Sequence, residues 1–374
     1  MSGRIVIAGA VAQKPGCAGH AWQFLQYLLG FRRLGWDVCF IDQIGGADPV
    51  AGERHLAEVM AWAGLKGAWS LGLPGGERAG LGRAQVLERI RDADLLLNVM
   101  GFETDAELLG AARLRVFLDT DPGFGQMWHA LGLADIFAGH DAHVTIAERI
   151  GAPDCTVPTC GLDWITTPQP VVLDAWPVAP PARDGAFTSV ASWRGSYGPV
   201  DFDGHRYGLR VHQLRRFAEL PAAAPGRFEL ALDIHPADAA DAELLRAGGW
   251  QLRPPSEVAA TLDGYRDYLR GSAGEVMVAK GMYVDSRSGW FSERSTCYLA
   301  SGRAVLAQDT GLAERYPVGE GLLVFSTLAE AIAGAEELQA DPARHAVAAR
   351  ALAEEHFDSD RVLGRLLDRL GAAA

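Results

Sequence analysis

Three things are scarce in this sequence. No apolar run approaches the ~18 residues that a membrane span requires, so no spanning segment is expected. Met1-Ser2-Gly3-Arg4 leads into an apolar stretch too brief for a secretory leader, and a cytoplasmic chain is expected. Cysteine is sparse. Cys17, Cys39, Cys155, Cys160 and Cys297 are odd in number and irregular in spacing, which favours reduced thiols over a disulfide framework. Cys155 and Cys160 lack the second Cys or His pair of a zinc site. Positive charge is also in deficit: 34 Lys and Arg stand against 47 Asp and Glu, a net charge of −13. The arginines are scattered, so no nucleic-acid partner is expected. One anion can still be held by a helix start and a few local cations.

What remains is a chain of 374 residues, 49% hydrophobic and 22% charged. At roughly 150 residues per domain, that length predicts two domains. An apolar run at 4–9 reads as a buried parallel strand, a glycine-containing loop follows to 19, and 20–34 has helical spacing ended by Gly35. Strands are predicted at 36–41, 94–99 and 115–118, with helices near 53–63 and 84–92. Six prolines between Pro153 and Pro180 break the pattern, as a crossing between domains would. Alternation then restarts, with strands at 187–191, 228–234, 275–279 and 304–308. Helices are predicted at 207–220, 255–270 and 292–301, and the chain is mainly helical after 327. The pattern predicts two α/β halves with doubly wound parallel sheets and a cleft at their strand ends.

Chemistry is therefore sought at strand ends. Gly16 and Gly19 let backbone approach a ligand, and His20 beside them is a candidate general base. The spacing is not the dinucleotide fingerprint, although Asp42 at the next strand end imitates its acid. Asp119-Thr120-Asp121 follows another strand; Asp119 is the better orienter for His20, and Asp121 reads as a turn residue before Pro122-Gly123. No Gly-x-Ser-x-Gly elbow is present. Farther on, Lys280 ends a strand, and Ser292 and Ser295 open a helix whose free N–H groups suit a diphosphate. Trp22, Trp36 and Trp62 read as core, whereas Trp128 and Trp193 stand where a base or sugar can stack.

The stretch Tyr298-Leu299-Ala300-Ser301-Gly302-Arg303-Ala304-Val305-Leu306-Ala307 resembles the helix–glycine–strand element of nucleotide-sugar-dependent glycosyltransferases of the GT-B fold. The Gly16/Gly19/His20 loop is similar to that family's first-strand loop. The resemblance implies two Rossmann-like domains: 1–170 for the acceptor, 171–355 for the donor, and a last helix, 356–374, crossing back to the first domain. Phe357, Val362 and Leu366 would pack that helix. It implies transfer from a nucleoside-diphosphate sugar to a small-molecule hydroxyl or amine, with no cofactor and no metal. Asp119-Thr120-Asp121 imitates a metal motif of a different glycosyltransferase fold. Gln308, Asp309 and Thr310 fall near the donor sugar. The family's ribose-binding glutamate is replaced by Cys297 and a second family glutamate eight residues earlier by Gly289, leaving Glu293 one turn before Cys297 as the substitute for the ribose. Arg194, Lys280 and Arg294 are the cations expected around the diphosphate, with Ser192 beside Arg194. His20 with Asp119 resembles the base and orienter of inverting members. A nucleotide-sugar 2-epimerase and an inactive nucleotide-sugar-binding subunit remain alternatives.

Overall fold

Residues 5–8 are all buried, which places β1 (Arg4–Gly9) between two helical layers at the middle of a sheet. A computed structural model describes residues 3–45, 48–180 and 185–372; Met1 and Ser2, ahead of the first strand, lie outside them. The first sheet adds β2 (Asp37–Gln43), β3 (Trp69–Gly72), β4 (Arg78–Gly80), β5 (Leu95–Val99), β6 (Arg115–Asp119), β7 (Ala142–Thr145) and β8 (Trp164–Thr166). Its order is β4-β3-β2-β1-β5-β6-β7-β8, parallel except for the β3–β4 pair.

The second sheet is built from β9 (Phe187–Ser192) onward. A small antiparallel hairpin, β10 (Val200–Phe202) and β11 (His205–Tyr207), stands apart from it. β12 (Phe228–Asp233), β13 (Gln251–Arg253), β14 (Gly274–Met277), β15 (Ala304–Gln308) and β16 (Leu322–Phe325) complete a fully parallel sheet ordered β13-β12-β9-β14-β15-β16. Strand order reverses beside β1 in one sheet and beside β9 in the other. Ligands of such sheets bind beyond the carboxyl ends at these reversals.

The two halves are tied together away from those ends. The helix Ser359–Arg369 packs on the helix Ala18–Arg33, where a Cβ on Gly30 would lie 2.5 Å from a Leu363 methyl. Arg33 is held between Asp174 and Asp360. Trp22 lies against Trp176, ring centres 4.8 Å apart, and Trp176 against Tyr265. Trp62 is 37% exposed and meets Trp22 only by its edge, so it closes the cluster from outside and does not fill the core. Trp193 is buried and its indole N–H donates to Asp241, which removes it from ligand stacking.

Two predicted helices change form. The segment read as 207–220 begins as β11, and its helix is Arg210–Arg216. The segment read as 255–270 holds a short turn at Pro255–Glu257, and Thr261 then caps a separate helix, Leu262–Gly271, by accepting from the Gly264 N–H. Among the described residues no helix is long and apolar enough to cross a membrane.

Candidate functional site

The loop after β1 is fixed from below. Asp42, at the end of β2, accepts from the N–H of Ala12 at 2.7 Å and of Gln43 at 2.7 Å, and burial pushes its carboxyl up to about 8. The acid that imitates a ribose ligand is thus consumed in shaping the loop. Gly16 has φ +76°, a conformation that glycine adopts freely. Gly19 serves a contact between the halves: a Cβ there would stand 3.1 Å from the Tyr265 ring, and the Ala18 N–H donates to Ala259 O.

Between this loop and the ends of β9, β12 and β13 lies a cavity of about 730 Å³. Its walls include Lys14, Gly16, Gly19, His20, Ser192 and Arg253, and the start of the helix Glu293–Ala300 closes it with Ser292, Glu293 and Arg294. Ser292 occupies the N-cap without a side-chain capping bond. Arg294 is tied down: its Nε donates to buried Glu275 at 2.6 Å and its Nη1 to Val190 O. Glu293 meets Cys297 at 3.2 Å, and burial raises its carboxyl to about 7.

Arg210 lines this cavity and a second one of about 380 Å³ beside it. Its Nε donates to Val278 O at 3.2 Å, and among the described residues no carboxylate pairs with it. Burial, with Arg294 close by, brings its guanidinium down to about 10. The second cavity also holds Lys14, His20, Asp121, Tyr197, Lys280 and Tyr283. A close backbone approach brings these cations together. Gly281 and Gly208 leave no room for side chains, a Cβ on Gly281 lying 3.0 Å from Gly208 Cα, and the Met282 N–H donates to Gly208 O. Lys280 Nζ reaches both oxygens of Asp121, at 2.7 and 2.9 Å, and the Tyr283 hydroxyl donates to the same carboxylate. Burial lowers the Lys280 ammonium, which Asp121 counters.

Several expected residues move to other duties. Asp119 does not orient His20. Its oxygens accept from Gln126 Nε2 at 2.6 Å, Thr145 Oγ1 at 2.8 Å and the Asp121 N–H, and burial raises it to about 6. His20 instead donates through Nε2 to Ala10 O at 2.9 Å, and burial lowers it to about 4. With that pair goes the argument for an inverting outcome. Arg194 is tied to Asp238 on the surface, outside both cavities. Ser295 is fully buried and absent from both linings.

Gln308, which ends β15, and the two residues after it bond within the fold as well. Gln308 bonds the Ala279 N–H and Gln213, Asp309 caps the turn at Gly311 and Leu312, and Thr310 donates to Trp290 O. Asp121, read as a turn residue, faces the second cavity. Arg210 and Tyr283 went unrecognised because neither stands in a motif. The adjacent glycines Gly208 and Gly281 were the available signal. Among the described residues no cluster of three or more His, Cys, Asp or Glu is arranged to hold a metal ion.

No family model matches the chain, and no curated protein matches it. Solved structures do. An alpha-glucosyltransferase in complex with UDP has a TM-score of 0.62 at 12% identity, covering 99% of this chain and 100% of that one. HepE of Anabaena, in complex with UDP and glucose, has 0.59 at 13% over 99% of each chain. A glycosyltransferase from Rickettsia africae has 0.57 at 10%, over 98% of this chain and 97% of that one. The fold is that of the GT-B glycosyltransferases along nearly its whole length. A further structure, with a TM-score of 0.62 at 13% identity, holds the alpha-glucosyltransferase with UDP and a 13-mer DNA containing an HMU base. That finding overturns the expectation that nucleic acid is excluded. The expectation rested on a whole-chain charge sum, whereas anion binding depends on local cations such as Lys14, Arg210 and Lys280.

Proposed function

We propose that the chain transfers a sugar from a nucleoside-diphosphate donor to an acceptor hydroxyl. The observation that carries this reading is Arg210, a partly buried guanidinium where two cavities meet that forms no salt bridge among the described residues, Asp121 and Glu275 acting on it only through space. The carboxylates nearest to it are already paired, Asp121 with Lys280 and Glu275 with Arg294, so a half-buried cation here gains from an anion that arrives to pair with it directly. The larger cavity has a volume within the usual range for small-molecule sites. The nucleoside would enter there, with Glu293 toward the ribose hydroxyls and Ser292 with the helix start toward the phosphates. The leaving diphosphate gains charge as the glycosidic bond breaks, and Arg210 and Lys280 would stabilise it in the role a metal ion plays elsewhere. His20 is neutral at pH 7 and spends its Nε2 hydrogen on Ala10, leaving Nδ1 to accept from a sugar hydroxyl.

Fold similarity to structures holding UDP or UDP-glucose supports UDP as the first donor nucleotide to test. Calorimetric titration should detect UDP binding, and Arg210→Ala should weaken it about tenfold or more, a loss near 1.4 kcal/mol. Incubation with UDP-glucose and an acceptor panel should then yield a glycosylated product. The panel includes small hydroxyl compounds and DNA bearing the HMU base named in the neighbouring structure. Absence of binding by every nucleoside diphosphate tried, or unchanged affinity in the Arg210 variant, would overturn the reading.

A further inference from the structure

The smaller cavity holds an imbalance. Lys14, Arg210 and Lys280 line it, and Asp121 is the one carboxylate among its lining residues. His20 lines it too, as a neutral ring. Asp121 comes from the turn after β6, whereas Lys280 and Tyr283 come from the segment after β14. The ion pair therefore spans the cleft from one half to the other. It is also well fixed. Tyr283 donates to Asp121 and stacks on Trp290 at 4.2 Å, and the Lys280 ammonium lies over the rings of Phe124, Tyr197 and Tyr283.

Building on the donor reading above, we propose that Asp121 is a placeholder for the donor's diphosphate. The incoming phosphate takes Lys280 from Asp121, and the freed carboxylate accepts a hydrogen bond from the acceptor's reacting hydroxyl. Donor binding thereby completes the acceptor site, so donor precedes acceptor. The chemistry of the groups supports the exchange. A diphosphate offers several charged oxygens to the Lys280 and Arg210 cluster, whereas Asp121 offers one charge. Asp121 keeps its Tyr283 hydrogen bond through the exchange and so remains positioned in the cavity.

The test uses inorganic pyrophosphate and UDP on the full chain. If Asp121 competes for Lys280, Asp121→Asn removes the competitor and should bind pyrophosphate about tenfold more tightly than the wild type. Lys280→Met should bind it about tenfold more weakly. A purely structural ion pair predicts the opposite for Asp121→Asn, since a loosened cleft binds less well. Hydrolysis of UDP-glucose, with water standing in for the acceptor, should be at least about tenfold slower in Asp121→Asn despite the tighter binding. Unchanged or weaker pyrophosphate binding by Asp121→Asn overturns the placeholder role, and unchanged hydrolysis overturns the acceptor contact. Pyrophosphate binding without UDP binding by the wild type would sink the nucleotide reading alone. Binding of neither overturns both. Thermal melts and Asp121→Glu, which keeps the charge and should stay near wild type in affinity, separate misfolding from the exchange.

Discussion

A charged side chain is defined by its counter-charge as much as by its type. Arg194 and Arg294 were both legible as cations near strand or helix ends, yet Arg194 is spent on Asp238 and Arg294 on Glu275. Arg210, which stands in no motif, lines the cleft and, among the described residues, is the one of the three that forms no salt bridge. Sequence supplies residue types at strand ends; pairing across 159 positions, as between Asp121 and Lys280, is set only by the closed fold. Glu293 was legible from its place one turn before Cys297, and its environment allows a direct check. Burial raises its carboxyl from 4.5 to about 7, so the folded state holds its proton after the unfolded chain has released it. Its contribution is most favourable below pH 4.5 and falls as pH rises through about 7. Glu293→Gln should remove this slope. Relative to wild type, the variant should gain about 2 kcal/mol of stability between mildly acidic and mildly alkaline pH. Urea denaturation across that range measures it, and Asp42 and Asp119, which titrate in both proteins, cancel in the difference. A constant gap between the two proteins would refute the assignment.

At the scale of elements, legibility followed the length of the apolar run. β15 was predicted with its observed bounds because 304–307 are buried on both faces. β9 and β12 were recovered to within a residue for the same reason. The short strands β3, β4, β7, β8, β13 and β16 and the hairpin strands β10 and β11 were missed. Each has three or four residues, and what defines them is pairing with a neighbour that local sequence does not name. The split between Pro255–Glu257 and Leu262–Gly271 had a local signal, Thr261 two residues before an acid, which apolar periodicity overrode. In the final helix, Val362 and Leu366 are buried as the pattern suggested, and so is Leu363, whose methyl fills the space left by Gly30. Leu363→Ala should cost about 2–5 kcal/mol, the range for a fully buried leucine truncated in a tight site. A loss below about 1 kcal/mol in chemical denaturation would mean that this helix is not anchored there.

The whole molecule reads at first as two independent sheets, and two α/β halves of this size each have enough residues for a core of their own. The packing argues for one unit. A single continuous apolar cluster runs from Ile5 in β1 through Trp22, Trp176 and Tyr265 to Leu367 in the last helix, and so includes side chains from both halves. Polar ties reinforce it. Gln26 accepts from the Val172 N–H at 2.8 Å and donates toward Cys297 at 3.2 Å, while the Trp22 indole donates to Leu262 O. Gln26 is fully buried, so opening the halves would expose its amide and its partners together with the aromatic cluster. Neither half can unfold without stripping apolar surface from the other, and the final helix ties the end of the chain back to its beginning. We therefore expect one calorimetric transition, with van't Hoff and calorimetric enthalpies in agreement. UDP at about 100 times its dissociation constant should stabilise that single transition by about 2.7 kcal/mol, because a ligand in the cleft touches both halves. Two resolved transitions, with only the second-sheet half responding to UDP, would mean that the shared core does not couple the halves.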